Sequence, residues 1–579
     1  MEFQAKGCRI LCRALLVAWF ACGAGCLATK VRWREPTASR PLTNPALRSA
    51  RADTDPRVLE AEQVYTAALK SERDCIESCV DLFFQAAVLA EASRPSGRGP
   101  AEIADHRICE IYTSALAGLV RCGQQFGRLD PRSHLTVMCD GQPRSIPVTH
   151  HGFVWGSQDF QFLAPVGDYS TNAFRVIHRT DGCGIPLVVS APRSASRPFL
   201  PVEPLFAATL FLRAGKVATD VSEMSGAGEW DDYALELYDP LRIDSVTIDG
   251  QSLPLAKDLS APLAYRLRDQ RRTILNDFFA PRSPEEESRL YALEPYQADK
   301  IPVVFIHGLL SDPFTWVEAV NELNATDGFV DHFQIWLFEY PTSQPFLVSA
   351  ASLRERLAAA SQTFDPDGLN PRFSQMVLVG HSMGGLISKL QVSSSSDALW
   401  RSIANRPIEQ VATQPEMRTR LTDAFFFEPS PQVSRVVFIG TPHAARGRSF
   451  RVVFVPGLAE RMFPQRIRED ALLPDRRREP IDAALATQTR RAAEERLQLT
   501  LAVGAASERL YVSYPRVELN ESRQRVPSFY VLDIARAIEG HIPPASALAA
   551  RASEAGGATL AWPAPLVPDT AIDDFEHDL

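Results

Sequence analysis

The stretch that most restricts what this chain can fold into is Gly380-His381-Ser382-Met383-Gly384, because of what stands on either side of it. Phe373 to Val379 precedes it and contains Met376-Val377-Leu378-Val379, a short apolar run that reads as a buried parallel strand. Gly385-Leu386-Ile387-Ser388-Lys389-Leu390 follows and can continue as a helix. A strand that ends in G-x-S-x-G and passes straight into a helix must bend sharply, which lifts the serine hydroxyl above the sheet edge. The flanking glycines are needed because so tight a bend leaves no room for side chains against its neighbours.

A second element lies upstream. Ile301-Pro302-Val303-Val304-Phe305-Ile306 is another buried-strand run, and it ends in His307-Gly308-Leu309-Leu310. If Ser382 attacks an acyl group, two backbone N–H donors must face the developing oxyanion. One is expected from Met383, the residue after the serine. The other is expected from Leu309, with Gly308 allowing close backbone approach. His307 precedes the serine at a strand end, and a structural role is expected for it.

Together with Ile335–Ser343 (IWLFEYPTS) and Val436–His443 (VVFIGTPH), these runs make residues 300–443 resemble the α/β-hydrolase superfamily, specifically its bacterial lipase- and esterase-like members. Helix-like runs such as Ala350–Ser361 alternate with the four strand-like ones, which suits a parallel sheet. The resemblance implies a serine hydrolase acting on carboxylic esters or related acyl substrates, small-molecule or lipid, with Ser382 as nucleophile, Leu309 and Met383 as oxyanion donors, and no cofactor or metal. It also implies the chain order serine, acid, histidine. Only His443, His541 and His577 follow Ser382. His443 comes earlier than the superfamily's usual base, and His577 lies in the acidic terminus Asp573–Asp578, where a solvated role is expected. Asp533 and His541 could substitute as acid and base, but nothing in their surroundings favours it. The catalytic acid and histidine are therefore left unassigned.

The reason emerges around His443. Thr441 to Glu460, TPHAARGRSFRVVFVPGLAE, continued by Phe463-Pro464 and by Glu508–Pro515, resembles the C-terminal motor domain of UvrD-like DNA helicases over roughly residues 441–542. Where that family carries a threonine and a phosphate-sensing arginine, this chain has Gly504 and Ala505. No G-x-x-x-x-G-K-[ST] occurs anywhere, so no loop of that kind cradles ATP phosphates. The tail therefore reads as an inactivated helicase-type fragment joined to a hydrolase core whose last strands are missing. Its arginines (Arg466, Arg468, Arg476, Arg477, Arg478) are interspersed with acidic residues and read as a solvated surface. A net charge of −9 gives no general reason to expect a nucleic-acid partner. Two alternatives stand beside the hydrolase: a catalytically inactive hydrolase–helicase chimera, and a nucleic-acid-associated protein acting through the tail.

At 579 residues the chain has room for several domains. Lys6, Arg9 and Arg13 precede the apolar run Ala14–Ala21, too short to span a bilayer stably, and Gly23-Ala24-Gly25-Cys26 resembles a lipoprotein cleavage box. The expected layout is a signal segment over 1–26 with Cys26 as the lipidation site, a tether over 27–54, and a helical module over 55–130, with Ala-rich apolar helical spacing in Val58–Leu69, Cys75–Ala90 and Ile103–Cys122. A β-rich domain over 135–258, with Phe174–Ile177 among its short strand-like runs, a truncated parallel-sheet α/β-hydrolase core over 290–443, and a helicase-like fragment with an acidic tail over 444–579 complete it. Lipidation of Cys26 would make this an exported, membrane-anchored lipoprotein of a bacterial cell envelope. In that oxidising setting Cys75, Cys79, Cys109 and Cys122 are expected to form one or two disulfides. Cys75-x3-Cys79 has no second cluster to complete a metal site.

Overall fold

A computed structural model describes residues 56–93, 106–139, 141–167, 174–192, 197, 199–213, 233–248, 250–267, 288–463, 474–478, 480–482, 487–515, 517–518, 523–544, 546–548 and 550. Cys26, the leader, the tether and His577 lie outside the described residues. The chain divides into two compact units, Met1–Ile439 and Gly440–Leu579. Thr441-Pro442-His443, the tripeptide common to both resemblances, thus opens the second unit.

The first unit begins with α1 (Pro56–Arg73), α2 (Cys79–Ala92) and α3 (His106–Gln125). These follow the Ala-rich apolar spacing of the sequence. Cys75, expected within the second helix, instead sits in the preceding turn with φ +54°. Helices α2 and α3 approach so closely at Gly118 that a Cβ there would stand 2.6 Å from the Phe83 ring. Cys79 and Cys122 are buried thiols hydrogen-bonded to each other, not a disulfide, and Cys75 is an exposed free thiol.

Next comes a seven-stranded sheet of β1 (Leu129–Asp130), β2 (His134–Cys139), β3 (Gln142–His151), β4 (Phe162–Pro165), β5 (Ile185–Ser190), β6 (Leu205–Arg213) and β7 (Ala234–Tyr238). Its order is β1-β2-β3-β7-β6-β5-β4, antiparallel except for the β3–β7 pair. Phe174–Ile177, expected as a strand, is irregular, although Phe174 is buried. The helices and this sheet share one core, in which Phe83, Ile111 and Leu119 meet Leu135, Leu187 and Leu237. Gln124 of α3 seals the edge strand by pairing with both backbone groups of Leu163, at 2.7 and 2.8 Å. Helix α4 (Ala261–Leu267) follows the sheet.

The second sheet contains β8 (Arg289–Ala292), β9 (Ile301–Ile306), β10 (Phe333–Glu339), β11 (Met376–His381) and β12 (Val433–Ile439) in the order β8-β10-β9-β11-β12. Its four long strands are parallel, and β8 is antiparallel on the edge. Every residue of β9 is buried, as a strand covered on both faces requires. Val303 and Phe305 enter one core with α5 (Val317–Asn324), while Val304 and Ile306 enter another with α6 (Phe346–Phe364) and α7 (Met383–Lys389). The sheet is thus mixed, with a parallel four-stranded centre and β8 as an edge that the sequence reading did not include.

The second unit pairs β13 (Phe450–Val455) in parallel with β14 (Ala506–Val512). Parallel neighbours need a crossover, and α8 (Gln488–Gly504) supplies it before α9 (Phe529–Glu539) closes the unit. Val455, Leu458, Leu499, Ala502, Tyr530 and Val531 form its core.

Candidate active site

The order of the second sheet decides where a site can form. The chain runs from β9 outward to β10, then returns past β9 to β11 and β12, so direction reverses between β9 and β11. Crevices at such a reversal, at the carboxyl ends of the strands, are where open α/β sheets bind ligands. His307-Gly308-Leu309 follows one of these strands, and Ser382 follows the other.

Ser382 stands at φ +53° and ψ −115°, a conformation that L-residues adopt only under strain. Two backbone hydrogen bonds hold it there. Its N–H donates to the Ile439 carbonyl at 3.0 Å, and its own carbonyl accepts from Gly385 N–H at 3.0 Å. The bend explains both glycines of the motif. A Cβ on Gly380 would lie 2.4 Å from the Gly384 carbonyl oxygen, and one on Gly384 would lie 2.3 Å from that of Ile306. Within this packed frame Ser382 itself is exposed.

Gly308 brings the upstream loop against the serine. Its Cβ position is 3.2 Å from Ser382 Cβ and 3.0 Å from His381 Nδ1. Among the described residues, neither Leu309 N–H nor Met383 N–H is taken up by a backbone hydrogen bond. Leu310 carries a positive φ of 56°, so this loop, like the serine turn, holds a non-glycine residue in a conformation that L side chains rarely adopt. Leu309, Leu310 and Leu386 (one helical turn beyond Ser382) are all large apolar side chains left exposed.

His307 is buried under this loop. Its ring stacks on Tyr340 with centroids 4.3 Å apart, and Tyr340 Oη donates to the His307 carbonyl at 2.7 Å. Nδ1 lies 3.1 Å from the Gly308 carbonyl, which can only accept, so the ring proton sits on Nδ1. Burial pushes its pKa down to about 4, partly opposed by that hydrogen bond, and the ring is neutral at pH 7. His381 is likewise shifted downward by burial, and its Nδ1 has no hydrogen-bond partner among the described residues.

Among the described residues, no histidine ring is hydrogen-bonded to Ser382 Oγ. His443 Nε2 lies 2.9 Å from Gln498 Nε2 in the second unit. Asp533 pairs with Arg536 at 3.2 Å, and His541 faces Glu539 at 3.9 Å, so Asp533 and His541 are engaged elsewhere instead of with each other. The structure thus brings together Ser382, Met383, Gly308 and Leu309, and leaves the base unassigned.

No family model matches the chain. Over 137 residues it is 29% identical to one of the subunits of the ATP-dependent helicase/deoxyribonuclease of Heliobacterium modesticaldum, a match covering 23% of this chain and 11% of that protein. The chain thus spans about a tenth of the length of this curated relative. A Bacillus licheniformis lipase in its propeptide form matches with 21% identity over 28% of each chain at a TM-score of 0.16. The mature form of that lipase matches with 16% identity over 25% of this chain and 69% of its own at a TM-score of 0.15.

Proposed function

We propose that the first unit is a serine hydrolase of the lipase or esterase type, acting on carboxylic esters or related acyl substrates. The observation that carries this reading is an exposed serine held at φ +53° between two crowded glycines, at the reversal point of a parallel sheet. In this reading Ser382 Oγ attacks the acyl carbon and its proton passes to a base. The carbonyl oxygen gains the negative charge, which Met383 N–H and Leu309 N–H receive. Collapse expels the alcohol, leaving an ester on Ser382 that water then cleaves. The exposed Leu309, Leu310 and Leu386 give a substrate's hydrocarbon an apolar approach.

A fluorophosphonate probe tests the activated serine. Labelling of the full chain, abolished in Ser382→Ala, is the expected result. A second reading, a catalytically inactive hydrolase–helicase chimera, rests on the lack of a histidine bonded to Ser382 among the described residues. Absence of labelling in a folded chain would favour it and remove the first.

A further inference from the structure

A cavity of about 110 Å³ lies where the two sheets of the first unit meet, walled by β6, α4, α5, β8 and β10. Ser382, Met383 and Gly308 are not among its lining residues. The wall is mostly apolar, including Leu205, Leu259, Leu263, Val317 and Phe333. Two charged side chains reach it, and they differ in kind. Glu294 is already engaged by Arg242, whose guanidinium holds both its carboxylate oxygens at 3.0 and 2.6 Å and also pairs with Asp239. Arg266 donates from Nη2 to the Glu203 carbonyl at 2.8 Å and has no carboxylate partner among the described residues.

Arg266 is half-buried, and the desolvation draws its guanidinium below its usual range, which the nearby Tyr291 side chain partly opposes. Tyr291 also lines the cavity, so a cationic and a phenolic residue border the same apolar space. A cation without a counter-charge in such surroundings favours an anion that brings its own hydrocarbon. The volume is of the order of the roughly 150 Å³ void that takes up benzene, which limits that hydrocarbon to a short chain or one ring.

We propose that this cavity binds a small monocarboxylate, with its carboxylate on Arg266 and the Tyr291 hydroxyl and its short alkyl chain or single ring against the leucines and valine. The site does not depend on Ser382 chemistry. It is therefore tested by calorimetric titration of the full chain carrying Ser382→Ala, in which turnover is absent. Hexanoate is expected to bind saturably, and 1-hexanol, equal in length but uncharged, at least about tenfold more weakly. Arg266→Gln is expected to lose at least about tenfold in hexanoate affinity, Tyr291→Phe to lose less, and Val317→Phe to fill the space and abolish binding. No saturable hexanoate binding, or equal binding of hexanoate and hexanol to the otherwise unaltered chain, overturns the proposal, as does an Arg266→Gln chain that folds and binds like its parent. The hexanoate–hexanol comparison needs no cavity variant, so a variant that fails to fold leaves the test intact.

Discussion

Removing the serine hydroxyl should affect stability differently according to what replaces it. Ser382→Ala keeps a Cβ at φ +53° and ψ −115° and so keeps the strain, whereas Ser382→Gly relieves it. A residue held in such a region costs about 1 to 3 kcal/mol. Glycine gives back about 0.5 to 1 kcal/mol of that through the greater freedom of its unfolded chain. The difference leaves Ser382→Gly more stable than Ser382→Ala by about 1 kcal/mol or somewhat more. The described tryptophans Trp155, Trp316, Trp336 and Trp400 all lie in the first unit. Of the eight tryptophans in the sequence only Trp562 lies beyond Ile439, so with Trp562→Phe as background urea unfolding followed by tryptophan fluorescence reads the first unit, and the glycine variant should shift its midpoint upward at unchanged slope. A glycine variant no more stable than the alanine variant would mean that the turn is not held under strain, and the case for a poised hydroxyl would fail with it.

Three further outcomes follow from the same geometry. Gly384→Ala places a methyl 2.3 Å from the Ile306 carbonyl oxygen, backbone that cannot step aside, and should cost about 2 kcal/mol or more in urea unfolding. Gly308→Ala meets its neighbours at 3.0 and 3.2 Å; it should change stability by less than about 1 kcal/mol while lowering kcat on a p-nitrophenyl ester at least about tenfold, by moving the Leu309 N–H. His307, with its pKa pushed down to about 4, takes up its proton more readily in the unfolded chain, so its contribution is complete above about pH 6.5 and is lost as pH falls toward 4. Between pH 7 and pH 5 that loss is roughly 2 kcal/mol, and a His307→Asn chain should lack this portion of the pH dependence in unfolding titrations.

The parallel core was legible in the sequence because β9 and β11 are covered on both faces and so appear as unbroken apolar runs. The serine turn was legible because steric crowding restricts Gly380 and Gly384 to one residue type. By contrast, β3 was hidden: Pro143, Arg144 and Pro147 interrupt a strand that is mostly exposed or half-buried along its length. Phe174–Ile177 looked like a strand because burial and strand pairing leave similar composition, yet Phe174 packs from an irregular segment. The Arg266 cavity had no sequence signal, since residues from five separated elements converge on it. The base had no sequence signal, because the hydrolase resemblance would put it after Ser382, where the residues from Thr441 onward resemble a different family.

The core shared by α1–α3 and the first sheet bears on how small an active fragment could be made. Trimming the chain to Arg289 onward would spare the serine turn but delete Leu205, Phe206 and Ala207, which wall the Arg266 cavity. Starting instead at Leu129 would keep those residues and lay bare the oily side of β2, β5 and β7 that Phe83, Ile111 and Leu119 now cover. Such a polypeptide should clump during expression. A fragment of this protein therefore has to keep α1–α3, since these helices serve as the inner lining of the first sheet.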